Sequence, residues 1–283
     1  MIEAADHRLI HLSPAAARLG DALARPKILA VVCVIALSGL GWLYLGVMVA
    51  DAPGVFGALC RPLFALAATK LGVADTFLVL AMWCAMTLAM MLPSAGPMIL
   101  TYAEIADTAA RKGDRVVSPF VLAAGYTAVW FGFAIAATAA HWLLTRAALI
   151  DSTMASVSTL FSGAIFIAAG FYQFSALKHA CLRQCQSPMS FFFVNWATTP
   201  RGVFRLGLRQ GVYCLGCCWA MMLVMFAVGV MNVLWMAALG AVMAIEKLTT
   251  TPRFTRAVGI VLIAIGAVFV ISSVAGHWPA RSA

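Results

Sequence analysis

Charge is what this chain has least of. Of its 283 residues only 10% are charged, and Asp and Glu number 10 against 19 Lys and Arg. Soluble domains carry about a quarter charged residues and about half apolar ones. At 64% hydrophobic, with a mean hydropathy of +0.98, this chain needs lipid as its solvent. Neither an ATP-binding domain nor a phosphorylation-type aspartate loop is present, which argues against primary pumping. The polar, basic leader at 1–27 has no apolar core. The apolar run behind it is longer than a signal-peptide core and lacks a small-residue cleavage site, so it reads as a retained anchor.

The present features are apolar runs of about 20 residues, each long enough to cross a bilayer. They define an all-α fold, a polytopic transmembrane bundle of seven spans: 28–50, 76–98, 119–143, 157–177, 211–229, 231–246 and 257–276. Together 28–277 form one transmembrane domain. The net charge of +9 is no nucleic-acid signal, because the basic residues sit in short loops. The leader and the loops after spans two, four and six hold four, three, five and three Lys or Arg. The alternate segments hold two, one, none and one. That asymmetry places the N-terminus in the cytoplasm and the 278–283 tail outside. The turn at 230–232 is the weakest link, although Gly229 and Asn232 supply turn chemistry. Residues 53–69 are amphipathic and expected on the outer membrane surface.

Within the fifth span, Cys214, Cys217, Cys218, Met221 and Met225 recur at i, i+3, i+4, i+7 and i+11, so they share one helix face. Thiolates and thioethers suit a soft cation such as Cu(I); the alternative is apolar filling of a buried helix. After span four, Cys181 and Cys185 face one way if the helix continues, with His179 almost opposite. The topology puts these five thiols on the inner, reducing side, where structural disulfides are not expected. Lys178, Arg183 and Arg209 nearby would favour thiolate. Zinc fits less well than Cu(I), because a Cys₄ zinc site usually draws paired hooks from loops and one pair here lies inside a span.

The second span carries another sulfur ladder, Met82, Met86 and Met90. Pro93 and Pro97 deprive the carbonyls of Ala89 and Pro93 of their helical donors, and Ser94 is a candidate to satisfy one of them. In lipid such a helix must be buried in protein or line a cavity, so this span is either a ligand pathway or a packing kink. Gly125 and Gly132, Gly163 and Gly170, and Gly259 and Gly266 are each seven apart, on faces where helices can approach closely. His141 is expected at the outer surface. Glu246 near the inner boundary is either functional or paired with Lys247 or a loop arginine.

Several segments together resemble one bacterial family. They are Met82-Trp83 through Met90-Met91-Leu92-Pro93-Ser94, Tyr172-Gln173 with Leu177-Lys178, Cys181 and Cys185, then Tyr213-Cys214-Leu215-Gly216-Cys217-Cys218-Trp219, Met231-Asn232 and Glu246-Lys247. The family is that of predicted metal-binding integral membrane proteins, some of whose members are labelled copper chaperones. The resemblance spans about 76–266 and implies a protein of the bacterial cytoplasmic (inner) membrane that handles copper.

The resulting expectation is a non-enzymatic protein binding Cu(I) at Cys181, Cys185, Cys214, Cys217 and Cys218. The methionines would be a weaker path, and a metal donor or acceptor protein would be the partner. The rival is a membrane thiol oxidoreductase using Cys214 and Cys217; a structural subunit whose cysteines merely pack is a third reading. The topology is tested by cysteine labelling at Ser187 and Ala283, each changed to Cys. Opposite sidedness is expected; labelling of both from one side would mean that spans five and six form a single helix.

Overall fold

The computed structural model describes residues 26–49, 73–149, 158–229 and 233–276. Among the described residues there are nine α-helices and no strand. They are α1 (Pro26–Val49), α2 (Val73–Arg111), α3 (Pro119–Arg146), α4 (Thr159–Tyr172), α5 (Ala176–Gln186), α6 (Pro188–Val194), α7 (Pro200–Val228), α8 (Val233–Leu248) and α9 (Pro252–Gly276). The amphipathic 53–69 segment, the 230–232 turn, the external tail and nearly all of the leader lie outside the described residues.

The fold class expected from the apolar runs is the one observed. Among the described residues α2, α3, α7 and α9 are long and apolar enough to cross a membrane, and a fifth span results if α4 and α5 count as one. The remaining two of the seven expected spans fall on α1, which is apolar over Val34–Leu43, and on α8. At 16 residues α8 is about 24 Å long, short of a bilayer core of about 30 Å. Span four does not continue straight to the cysteines. It ends at Tyr172, and α5 sets off at 64° to it, because Ser175 accepts a hydrogen bond from Lys178 N and so starts a new helix. The chain closes α7 at Gly229, whose φ of +94° only glycine adopts readily. α8 begins as a separate element at Val233.

Close approach is set by glycine. A Cβ on Gly163 would stand 2.9 Å from the Gly266 carbonyl, and one on Gly266 2.8 Å from that of Gly163. A Cβ on Gly170 would stand 2.9 Å from the Gly259 carbonyl, and one on Gly259 would meet Gln173 and Phe174, so α4 and α9 pack closely along their length. Between α3 and α7 the pattern is different from the expected seven-residue pair. Gly125 abuts Phe204 and Leu208, Gly207 abuts Leu122, and Gly211 abuts Val129, whereas Gly132 has open space beside it. The partner glycines come from α7, a spacing invisible within one span.

Helices α2 and α7 form the centre: half of the α2 span and 56% of the α7 span are buried, against 17% of α9. The expected interruption of α2 is absent, and the helix runs through both prolines to Arg111. The carbonyl of Ala89, orphaned by Pro93, accepts a hydrogen bond from Trp42 Nε1 on α1 at 3.0 Å. Ser94 reaches back to the Met91 carbonyl instead, at 2.8 Å, the usual i−3 reach of a serine in a helix. Trp42→Phe keeps the ring but leaves the Ala89 carbonyl unpaired. It should lower stability in detergent by about 1–3 kcal/mol, read as a fall in thermal midpoint; an unchanged midpoint would show that the bond is dispensable.

Candidate metal centre

Helix α7 starts cleanly. Thr199 accepts from Gly202 N and Pro200 occupies the first turn. Fourteen residues on, its inward face presents Cys214, Cys217 and Cys218, all 1–2% exposed. Their sulfurs lie within 4.8 Å of one another, the one such group of three or more ligand-type side chains among the described residues. Cys217 and Cys218 approach to 3.3 Å, and the Cys217 thiol donates to the Cys214 carbonyl at 3.1 Å. The glycine inside the motif has a packing role: a Cβ on Gly216 would lie 2.6 Å from Cys181 Sγ, so its absence lets α5 settle onto α7. Cys185, one turn further along α5, is a direct side-chain neighbour of Cys217. Five sulfurs thus gather along the α5–α7 contact. His179 is only half-buried and does not join them, because α5 continues to Gln186 and keeps it on another face.

The cation beside the thiols is not one of the three expected. Lys178 pairs with Glu246 at 2.7 Å, both almost fully buried. Arg183 turns to the His179 carbonyl, and Arg209 donates to Asn195 Oδ1 at 2.7 Å. Lys247 takes the role instead. Its ammonium donates to Cys214 Sγ at 3.0 Å and to Ser94 Oγ at 2.6 Å. Tyr126 Oη lies 3.0 Å from the same sulfur and donates to the Met91 carbonyl at 3.1 Å. Spacing alone does not reveal this, since Ser94, Tyr126, Cys214 and Lys247 sit on four helices. The sequence signal is a lysine beside an apolar run, and a bond to Glu246 is one of the alternatives it offers there. That alternative is not the one observed: Glu246 pairs with Lys178, because α8 turns its successive residues to different neighbours.

The methionines Met82, Met86, Met90, Met221 and Met225 are all in the core, none above 4% exposed. Helices α2 and α7 run in opposite directions there. Trp83 stacks near Phe226 at 5.1 Å at one end of the ladders, and Met91 and Cys214 meet Tyr126 at the other. A Cβ on Gly240 of α8 would lie 3.7 Å from the Met90 side chain, and Met221 Sδ accepts a hydrogen bond from Gln173 Nε2 at 3.1 Å. His141 is buried at 4% exposure, because its face of α3 turns into the bundle.

A cavity of about 260 Å³ reaches the cluster from one side. Pro93, Ser94, Pro97 and Met98 of α2, Cys185 and Gln186 of α5, and Ala244 and Lys247 of α8 line it. The basic loops meet at this end of the bundle: Tyr102 donates to the Val117 carbonyl and stacks on Trp196, while Gln186 donates to the carbonyls of Glu246 and Thr249.

Comparison with known proteins gives one match. Residues 80–269 fit the family described as PpoB2, copper chaperone. No curated protein and no solved structure matches.

The Lys178–Glu246 pair offers a test of whether Glu246 is a working carboxylate or a structural one. Lys178→Met strands a buried carboxylate and should destabilise by about 3–5 kcal/mol, while adding Glu246→Leu should restore most of the loss. A double variant that is stable and still takes up metal makes the pair structural; one that is stable but inert gives Glu246 a function.

Proposed function

The chain belongs to the PpoB2 copper chaperone family, and from that premise we propose that it binds Cu(I) on Cys214, Cys217 and Cys218 inside the membrane and passes it to a protein acceptor. The observation that carries this reading is three buried thiols with sulfurs within 4.8 Å of one another. Thiolate sulfur is the ligand type that selects Cu(I). Two or three thiolates around one monovalent ion leave net negative charge, and the ammonium of Lys247 at 3.0 Å offsets it in a setting where an unpaired charge is costly. Structural zinc usually draws paired cysteine hooks from loops, whereas this trio sits within one membrane helix.

Cys181 and Cys185 extend the thiol cluster across α5. The thioethers of Met82, Met86, Met90, Met221 and Met225 form a weaker path along α2 and α7 toward the opposite end of the bundle. Thioethers hold an ion less tightly than thiolates, so it moves along them and stays on the cysteines. The protein is a multi-pass component of the bacterial cytoplasmic membrane, with the basic loops and the cysteine cluster toward the cytoplasm. Burial counts against thiol–disulfide exchange as the main activity: a partner protein's thiol cannot approach sulfurs that are 1–2% exposed.

Anaerobically purified protein should hold near-stoichiometric Cu(I) against a competing chelator. Replacing Cys214, Cys217 and Cys218 together by Ser should abolish tight binding, since a hydroxyl is a hard and weakly acidic ligand. Met221→Leu with Met225→Leu should leave the affinity intact and slow only transfer. Undiminished binding in the triple variant would remove the cluster from the proposal. Metal-free protein with Cys214 and Cys217 reversibly oxidised would favour the oxidoreductase.

A further inference from the structure

The three clustered thiols are sealed from solvent, so an ion must reach them through some other group. The cavity described above is bounded by two members of the cluster's surroundings, Cys185 and Lys247. Cys185 is half-buried where Cys214, Cys217 and Cys218 are buried, and its side chain adjoins Cys217. Met98 places a thioether on the facing wall, beside the two prolines. The cavity opens among the basic loops rather than along the methionine ladders.

On the copper-binding reading, we infer that this cavity is a loading vestibule and that Cys185 is the transfer ligand at its floor. The substrate is Cu(I) carried by a small thiol. A cavity of about 260 Å³ admits several waters or the head of a small thiolate complex, but no folded carrier. In the first exchange the Cys185 sulfur bonds copper as the donor's copper–sulfur bond breaks, and the Cys185 proton leaves on the departing donor thiolate. In the second, Cys217 bonds copper as the Cys185 bond breaks, and the Cys217 proton returns to Cys185. Copper stays monovalent and no electron moves. Lys247, between the vestibule and Cys214, keeps the ion's next partner in place.

The full-length protein in detergent is loaded with Cu(I)–glutathione under anaerobic stopped flow, alongside Cys185→Ser and Ala244→Phe. The phenyl ring of the second variant fills the vestibule and replaces no sulfur ligand. Both should load at least about tenfold more slowly, equivalent to a barrier about 1.4 kcal/mol higher, while Ala244→Phe keeps the parental equilibrium stoichiometry and affinity. Ala244→Phe should also slow alkylation of Cys185 by iodoacetamide. Parental loading rates in either variant would overturn the inference. So would loss of equilibrium affinity in Ala244→Phe, which would make its slow loading a defect of the site itself, or loading by a folded thiolate carrier alone. Should the parent hold no Cu(I), the copper reading itself falls, and the alkylation comparison still decides whether Cys185 faces an open vestibule.

Discussion

A buried ammonium must be paired, and the pairing of Lys247 is the constraint on which the rest of this structure depends. Its bonds to Cys214 Sγ and Ser94 Oγ fix α8 against α7 and α2 at one point. Tyr126 adds α3 to the same junction. The adjacent Glu246 draws in α5 through Lys178. Two consecutive side chains of a short helix thereby hold three other helices, and Tyr126 ties in a fourth through Cys214. Removing either partner would strand a charge at a cost of several kcal/mol. The thiol cluster sits inside this junction, so the elements that stabilise the bundle also set the electrostatics of the sulfurs.

The prolines of α2 belong to the same arrangement. Pro93 removes one helical bond, and the freed Ala89 carbonyl turns to Trp42 rather than to a ligand. The helix stays continuous, and its Pro93, Ser94, Pro97 and Met98 form one wall of the cavity it shares with α5 and α8. The expected interruption is therefore repaired by packing: α1 satisfies the freed carbonyl, and α2 runs on as one helix beside the cavity.

The all-helical class was legible because apolar runs and basic loops are local signals. The inward face of α7 was legible for the same reason: Cys214, Cys217 and Cys218 recur at helical spacing, and one helix is enough to bring them together. Contacts between helices were not legible. Lys178 was read as a cation for the thiols and instead neutralises Glu246, while Lys247 changed places with it. Only the rotation of α8 about its axis decides between the two, and no periodicity encodes that rotation. The break before α5 was missed because the Ser175 cap lies inside an apolar stretch whose hydropathy alone suggests continuity. Gly207 and Gly211 have no seven-residue partner within one span, so no local pattern marks them as packing sites.

The central claim is that the buried sulfurs of α7 are the copper ligands. X-ray absorption at the copper edge, on full-length protein loaded anaerobically with one Cu(I), tests it most directly. The account predicts a first shell of two or three sulfur atoms and no nitrogen or oxygen. It predicts loss of that shell when Cys214, Cys217 and Cys218 are replaced together. A nitrogen- or oxygen-dominated shell, or a sulfur shell unchanged in that variant, would contradict it.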